Sequence, residues 1–416
     1  MNLFSISFRY AKANLLSTLL NIFLLAFGLA MMLILLLVSH QIESKFTKNA
    51  QNINMVVGAK GSPLQLILSA IYHIDFPTGN ISAEDANLIR KNPMIKKSIP
   101  LGLGDSYEGF RIVGTDTSYA NLYECELSSG KFWEKPLEVT IGARVAERLN
   151  LKIGDSFKGA HGLSEGGFAH EEAYKVVGIL KANESVADRL ILTSMQSIWD
   201  VHQEHEEVEN SDEDHKDHEK HHENDHEKTQ EKEVQKQDIT ALLLQYKSPM
   251  AAVMLPRMIN SISNLQAASP AAEISRLFNL LGVGTDILEY LAVAIMAISL
   301  LSMFIVLYNS LQDRQYDLAV MRALGASATK IFLLILSEGF LLAFLGSLCG
   351  LALAYGALAI FSNDYSSTTS ETLNAWIWLE EETYLIVFTW FIGLFAALIP
   401  AVKAYKLDVS TILAKS

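Results

Sequence analysis

The sequence predicts a multi-pass α-helical membrane protein with four transmembrane helices and a large mixed α+β periplasmic domain between helices 1 and 2. Three observations lead there. Half of the 416 residues are hydrophobic and the mean hydropathy is +0.22, too apolar for an ordinary soluble domain and too polar for membrane helices alone. Four uncharged apolar stretches each reach about 20 residues, enough to cross about 30 Å of hydrocarbon as a helix. Basic residues gather at alternate ends of those stretches, as they do on the cytoplasmic side of a membrane.

Residues 1–14 place Leu3, Phe4, Ile6 and Phe8 near Arg9 and Lys12, which reads either as a cytoplasmic amphipathic helix at the interface or as the frayed start of the first span. The first span is expected over 15–38. Its apolar run exceeds that of a signal peptide and SHQIESKF offers no small-x-small exit, so it reads as an uncleaved anchor. The external domain follows over 39–289, then a span over 290–312, a cytoplasmic segment over 313–330 and a span over 331–363. An external loop over 364–382, a span over 383–402 and a cytoplasmic tail over 403–416 complete the chain. Arg314, Arg322 and Lys330 lie between spans 2 and 3, and Lys403, Lys406 and Lys415 follow span 4. The 364–382 loop carries Asp364, Glu371, Glu380, Glu381 and Glu382 with no Lys or Arg. Both termini are therefore expected in the cytoplasm and the protein in a bacterial inner membrane.

Within the external domain, VVGAKG at 56–61 and FRIVGTD at 110–116 are short strand-like runs ended by glycine, and LKIGDSF at 151–157, YKVVGIL at 174–180 and DRLILTS at 188–194 add further strands. LEVTIGARVAERLN at 137–150 reads as a strand passing through Gly142 into a helix. Ser82 caps a helix with Asp85 at its third position, and SMQSIWDVHQEH reads as another helix. Pro270, Ile274, Leu277, Phe278 and Leu281 fit an amphipathic helix leading into span 2. HGLSEGGFAH at 161–170 is expected to be loop. Cys125 falls in the external domain and Cys349 in span 3, so no internal disulfide is expected.

The formal charge of −13 comes almost entirely from 202–238, a low-complexity insert too polar to enter a core and expected to be disordered. The remainder is nearly neutral, which argues against nucleic acid as a partner. His202, His205, His215, His218, His221, His222 and His226 lie in this tract, seven of the chain's eleven histidines. Imidazole suits zinc and other divalent transition metals, and the neighbouring carboxylates favour a cation's approach. Two readings stand, exchangeable metal ligands and a solvated insert. His161 and His170 flank the glycine-rich loop and are further candidates.

HEKHH at 218–222 and HENDH at 222–226 have HExxH spacing, but they lie in the low-complexity insert where a helix is doubtful, so no hydrolytic site is read there; no GxxxxGK[ST] occurs, so the chain has no phosphate loop of its own. In 313–330, Arg314, Asp317, Met321 and Leu324 can share one side of a short helix that Gly325 ends in a left-handed turn. Such an apolar and basic projection can dock another protein; the plainer reading is a positively charged turn between helices. Glu338, inside span 3, is expensive facing lipid and should meet protein, water or the membrane boundary.

QDRQYDLAVMRALGASATKIFLLILSEGF at 312–340 and AALIPAVKAYKLDVSTILA at 396–414 resemble the FtsX-like/MacB-type ABC permease family, which includes the macrolide-exporter, lipoprotein-release and cell-division permeases. The element order and VVGAKGSPLQLILSAIYHIDFPTGNIS resemble a branch of it too. The resemblance implies a non-catalytic permease homodimer with two copies of a separate cytoplasmic ATPase that holds ATP and magnesium. It makes 313–326 the coupling element, with Arg314, Asp317, Met321, Arg322, Leu324 and Gly325 as its contact positions and Glu338 as the acidic residue just beyond. Export, extraction or release of a client is the implied work, with lipid and a periplasmic protein or lipoprotein as further partners. The histidine-rich insert departs from the better-known members. A metal-responsive envelope sensor and a structural scaffold are the alternatives.

Overall fold

The computed structural model describes residues 15–162, 169–202, 237–262, 264–368, 374 and 376–407. The expected helix over 1–14, residues 203–236 of the acidic insert and the end of the tail lie outside them. The chain divides into two compact units, Met1–Ile42 with Leu280–Ser416, and Glu43–Asn279.

Helix α1 (Leu15–Ala50) is 36 residues long, about 54 Å at about 1.5 Å per residue. It outlasts the hydrocarbon, and its residues from Glu43 onward belong to the second unit. There the Phe46 ring packs on Tyr72, which donates its hydroxyl to the Phe46 carbonyl at 2.8 Å. Asn49 accepts from Tyr123 through its carbonyl and from the Val186 N–H through its side chain.

Eleven named strands follow: β1 (Met55–Ala59), β2 (Ile95–Leu101), β3 (Asp105–Tyr107), β4 (Phe110–Thr115), β5 (Leu127–Gly130), β6 (Glu138–Ile141), β7 (Ser156–His161), β8 (Ala169–Leu180), β9 (Leu190–Ser194), β10 (Ala241–Tyr246) and β11 (Leu265–Ala268). They form an antiparallel sheet in the order β11-β1-β10-β2 and a second sheet in the order β5-β8-β6-β9-β4-β3-β7. Pairing of β7 with β8 closes most of the second sheet on itself. Strand β4 runs parallel to β9 and is buried at every position, Arg111 and Thr115 included, so FRIVGT lacks the polar-out alternation of a half-exposed strand. Tyr174, Val176, Ile112, Val139 and Ile191 fill the interior of this sheet.

Local signals explain the connections. Ser82 accepts from the Asp85 N–H at 3.1 Å and starts the helix Ala83–Arg90. Gly142 links β6 to the helix Ala143–Leu149, and a Cβ there would lie 2.2 Å from the Asp188 carbonyl oxygen. The strand expected over 151–157 begins only at Ser156, because Lys152–Asp155 closes a turn. The segment 161–170 is not loop throughout: His161 ends β7 and Ala169 opens β8, its antiparallel partner, while residues 163–168 lie outside the described residues. Residues 195–202 form the expected helix as far as the structure describes it.

Helix α2 (Pro270–Asp313) runs unbroken from the amphipathic segment through the second span. The short α3 (Gln315–Ala323) leads to α4 (Ala328–Thr368) and α5 (Glu380–Tyr405). Helices α1, α2, α4 and α5 each hold a stretch long and apolar enough to cross a membrane. Small residues let them approach. A Cβ at Gly339 of α4 would fall 2.6 Å from the Gly393 carbonyl oxygen of α5, and Gly346 faces Leu25 of α1 equally closely. Ser302 donates to Asn21 Oδ1 at 2.6 Å and Trp390 donates to Ser347 at 3.1 Å, so these polar groups meet between helices. Glu382 is buried, accepting from Tyr355 at 2.7 Å and from the Leu379 N–H at 3.0 Å, where it starts α5.

Gly393→Val forces α4 and α5 apart. The overpacking cost is about 1–3 kcal/mol, read as a lower thermal midpoint of the detergent-solubilised protein. An unchanged midpoint contradicts the close approach.

Candidate functional site

The site is assembled where α2 stops. Arg314 departs from helical geometry (φ −107°, ψ 10°) and becomes the residue before α3. Its side chain turns back so that Nε donates to the Ser310 carbonyl at 3.0 Å, while Nη2 and Nη1 reach Glu338 Oε1 and Oε2 at 3.0 and 3.5 Å. This is a two-pronged guanidinium–carboxylate pair, a geometry lysine cannot supply. The side chains are 16% and 9% exposed, and Leu307, Leu311, Leu318, Leu334 and Ile335 wall the small cleft around them. Poor solvation raises the cost of separating the charges. Glu338 thus meets protein, and its partner is the residue at the corner between α2 and α3.

Helix α3 seats Leu318 and Ala319, both buried, with Met321 half-buried against an apolar cluster that includes Leu311, Ile331 and Ala401. Arg314, Leu318 and Met321 therefore share the inward stripe, at i, i+4 and i+7. The expected single side of Arg314, Asp317, Met321 and Leu324 divides accordingly. Asp317 is exposed, and Leu324 is 83% exposed beside Tyr316 at 51%. Arg322 is half-buried and donates to the Leu407 carbonyl at 2.6 Å, tying α3 to the end of α5.

Gly325 (φ +99°) closes α3. The Ala326 N–H donates to the Met321 carbonyl at 3.0 Å and the Gly325 N–H to that of Arg322 at 3.1 Å, the paired bonds of a Schellman turn. Ser327 then caps α4 through the Lys330 N–H. Lys403 of α5 sits 4.1 Å over the Tyr308 ring of α2 and bonds its hydroxyl at 2.5 Å, a contact without a motif in the sequence.

The external unit holds a second constellation. Asp105 on β3 and His161 on β7 are cross-strand partners, and His161 Nδ1 lies 3.1 Å from Asp105 Oδ1. His202, in the helical segment 195–202, brings its Nε2 to 3.7 Å from the same oxygen. The three ligand atoms lie within 4.8 Å of one another. The hydrogen bond to Asp105 raises the His161 pKa above its ordinary value against the opposing effect of burial, and the Asp105 charge adds to the rise. The other tract histidines, 205, 215, 218, 221, 222 and 226, lie outside the described residues, as does the His170 side chain. Sequence reading named His161 and His202 but missed Asp105, whose role depends on strand pairing alone.

A buried polar group was also missed. His73 Nε2 meets the Tyr119 hydroxyl at 3.0 Å and Arg111 donates to the Asp75 carbonyl at 3.0 Å. Burial lowers the His73 pKa well below the ordinary histidine value, with help from Arg111 and Arg189, so His73 is neutral there.

Two family models match the chain, the MacB-like periplasmic core domain over residues 18–217 and the FtsX-like permease C-terminal region over residues 290–409. No curated protein matches. Among solved structures the chain is similar to the periplasmic region of MacB from Actinobacillus actinomycetemcomitans, at 11% identity and a TM-score of 0.35, covering 56% of this chain and 98% of that one. It is similar to the extracellular domain of YknZ, a noncanonic ABC-type transporter from Gram-positive bacteria, at 12% identity and 0.29, covering 52% and 100%. A domain of a putative permease protein from Porphyromonas gingivalis aligns at 11% identity and 0.26, covering 51% and 80%.

Removing one member of the Arg314–Glu338 pair leaves the other poorly solvated. Glu338→Leu and Arg314→Leu should each cost about 3–5 kcal/mol, and the double substitution less than their sum. Denaturation in detergent reads the coupling; additive losses would mean the ions do not interact.

Proposed function

The chain belongs to the FtsX-like, MacB-type permease family, and from that membership we propose that it couples ATP hydrolysis by a separate cytoplasmic ATPase to conformational work outside the membrane. The work is export, extraction or release of a client. A homodimer of this chain, with two copies of the ATPase carrying ATP and magnesium, is the assembly the family resemblance supports. The basic residues beside the spans support cytoplasmic termini and a cytoplasmic 313–330 segment.

The observation that carries the reading is the corner at Arg314 to Ser327. A docking element that transmits force must hold its own shape, and its outward face must remain free to bind. The Arg314–Glu338 pair, the bond from Arg322 to Leu407 and the Gly325 turn hold the short helix against its own bundle. Tyr316, Asp317 and Leu324 are then left outward. An apolar side chain as exposed as Leu324, on a segment that also exposes Tyr316 and Asp317, suits a groove on a partner protein. Arg314 and Arg322 act from beneath, as positioning residues for that face.

ATP binding that draws two ATPases together would pull on these corners, and spans 2 and 3, joined through each corner, would carry the displacement. Substrate need not pass through the bilayer for such a cycle to do work.

The test is purification of the complex from native membranes in mild detergent. A nucleotide-binding subunit is expected to accompany the chain and to lose about tenfold in association on Leu324→Asp, since truncating or reversing a docking anchor costs about 1.4 kcal/mol or more. Gly325→Val is expected to impair coupled hydrolysis at normal membrane insertion. No heavy atom lies within 4 Å of a Cβ there, so the cost is conformational. Unchanged association and hydrolysis in both variants would refute the docking assignment.

A further inference from the structure

We propose that Asp105, His161 and His202 form a binding site for a divalent transition-metal ion of the zinc type in the external domain. The site lies far in sequence from the corner, and the permease reading does not require it.

The donor set comes first. One carboxylate and two imidazoles are ligands that zinc accepts, and three protein ligands leave a position for water or a fourth group. The spacing agrees. Ligand atoms on a tetrahedral zinc stand about 3.3 Å apart, given metal–ligand distances of about 2.0–2.1 Å. The Asp105 oxygen stands 3.1 Å from His161 Nδ1 and 3.7 Å from His202 Nε2. Both distances fall within a few tenths of an ångström of that spacing, and all three ligand atoms lie within 4.8 Å of one another.

The tautomer agrees as well. His202 Nδ1 lies 2.7 Å from the Ile198 carbonyl oxygen, one turn back in its own helical segment. A carbonyl can only accept, so Nδ1 carries a proton, and Nε2, on the side of Asp105, is the nitrogen a neutral ring would offer a metal. A second hydrogen bond of this kind orients metal-binding histidines. His161 has no such freedom to wander, because its backbone is paired to Asp105 across β3 and β7.

Burial is graded in the direction a metal site requires. The Asp105 side chain is fully buried, while the histidines are 40% and 39% exposed. A buried carboxylate gains from a cation, and the two half-exposed rings leave a route of entry.

The experiment uses the full chain in detergent, with His205, His215, His218, His221, His222 and His226 replaced by glutamine so that the tract cannot mask the site. Equilibrium dialysis against zinc is expected to give one ion per chain. Cobalt(II) is expected to show the intense visible absorption of a tetrahedral ion. His161→Gln and His202→Gln in that background should each weaken binding about tenfold or more. Both positions are half-exposed, so the metal-free thermal midpoint should hold and certify the fold. No saturable zinc binding in the tract-substituted chain, or equal affinity after both substitutions, would overturn the site. Neither result bears on the ATPase association tested above.

Discussion

Hydrocarbon offers the backbone no water, and this constraint governs the membrane unit. Every peptide group inside it must bond within its own helix, which is why the spans are unbroken over more than the thickness of a bilayer. Side chains inherit the same demand. Asn21, Ser302, Ser347 and Trp390 find partners across helices, and close contact is left to Gly28, Gly339, Gly346 and Gly393. The chain turns only where the helices end.

The Arg314–Glu338 pair exploits such an end. An ion pair shielded from water contributes little net stability over an apolar replacement of the same shape, so its use lies in what it specifies. Two charges that must meet in a two-pronged geometry fix how α2 turns into α3 relative to α4. An apolar contact would tolerate sliding there. The Schellman bonds around Gly325 fix the other end of α3 through backbone alone. With both ends of the corner set by directional bonds, Tyr316, Asp317 and Leu324 face outward by consequence. A displacement applied to them is passed to α2 and α4 rather than absorbed by rearrangement of the corner.

The four spans were legible in the sequence because uncharged length is itself the physical requirement, and the α+β character because glycine and capping residues punctuate apolar runs. Ser82 and Gly325 act where their conformational preferences predict, and Gly142 sits where a Cβ would collide with backbone. Pairings were not legible. Arg314 and Glu338 were each singled out, yet 24 residues separate them and only the packing of α2 on α4 joins them. Of the side expected for α3, Arg314 and Met321 do face inward, but Asp317 and Leu324 are exposed and the adjacent Leu318 takes the inner place. In a helix of only nine residues, apolar spacing fixes rotation weakly. The strand expected from Leu151 was shortened by a turn at Gly154, whose φ of +100° ends an extended run.

The same distinction separates the two parts of the histidine question. A tract rich in imidazole and carboxylate is visible in composition, and composition alone implies loosely specified ligands that lose conformational freedom on each encounter with an ion. A site on β3, β7 and the 195–202 helix is different in kind. Its donors are held by strand register and by a carbonyl hydrogen bond before any ion arrives, so little ordering remains to oppose binding. Asp105 escapes notice in the sequence because nothing near it is a ligand; it acquires its neighbours when the sheet closes. If the tract loads ions and the folded cluster retains one, His202 belongs to both. Occupancy there would then depend on the seating of the 195–202 helix against β3 and β7, which makes the ion a reporter on the fold of the external domain.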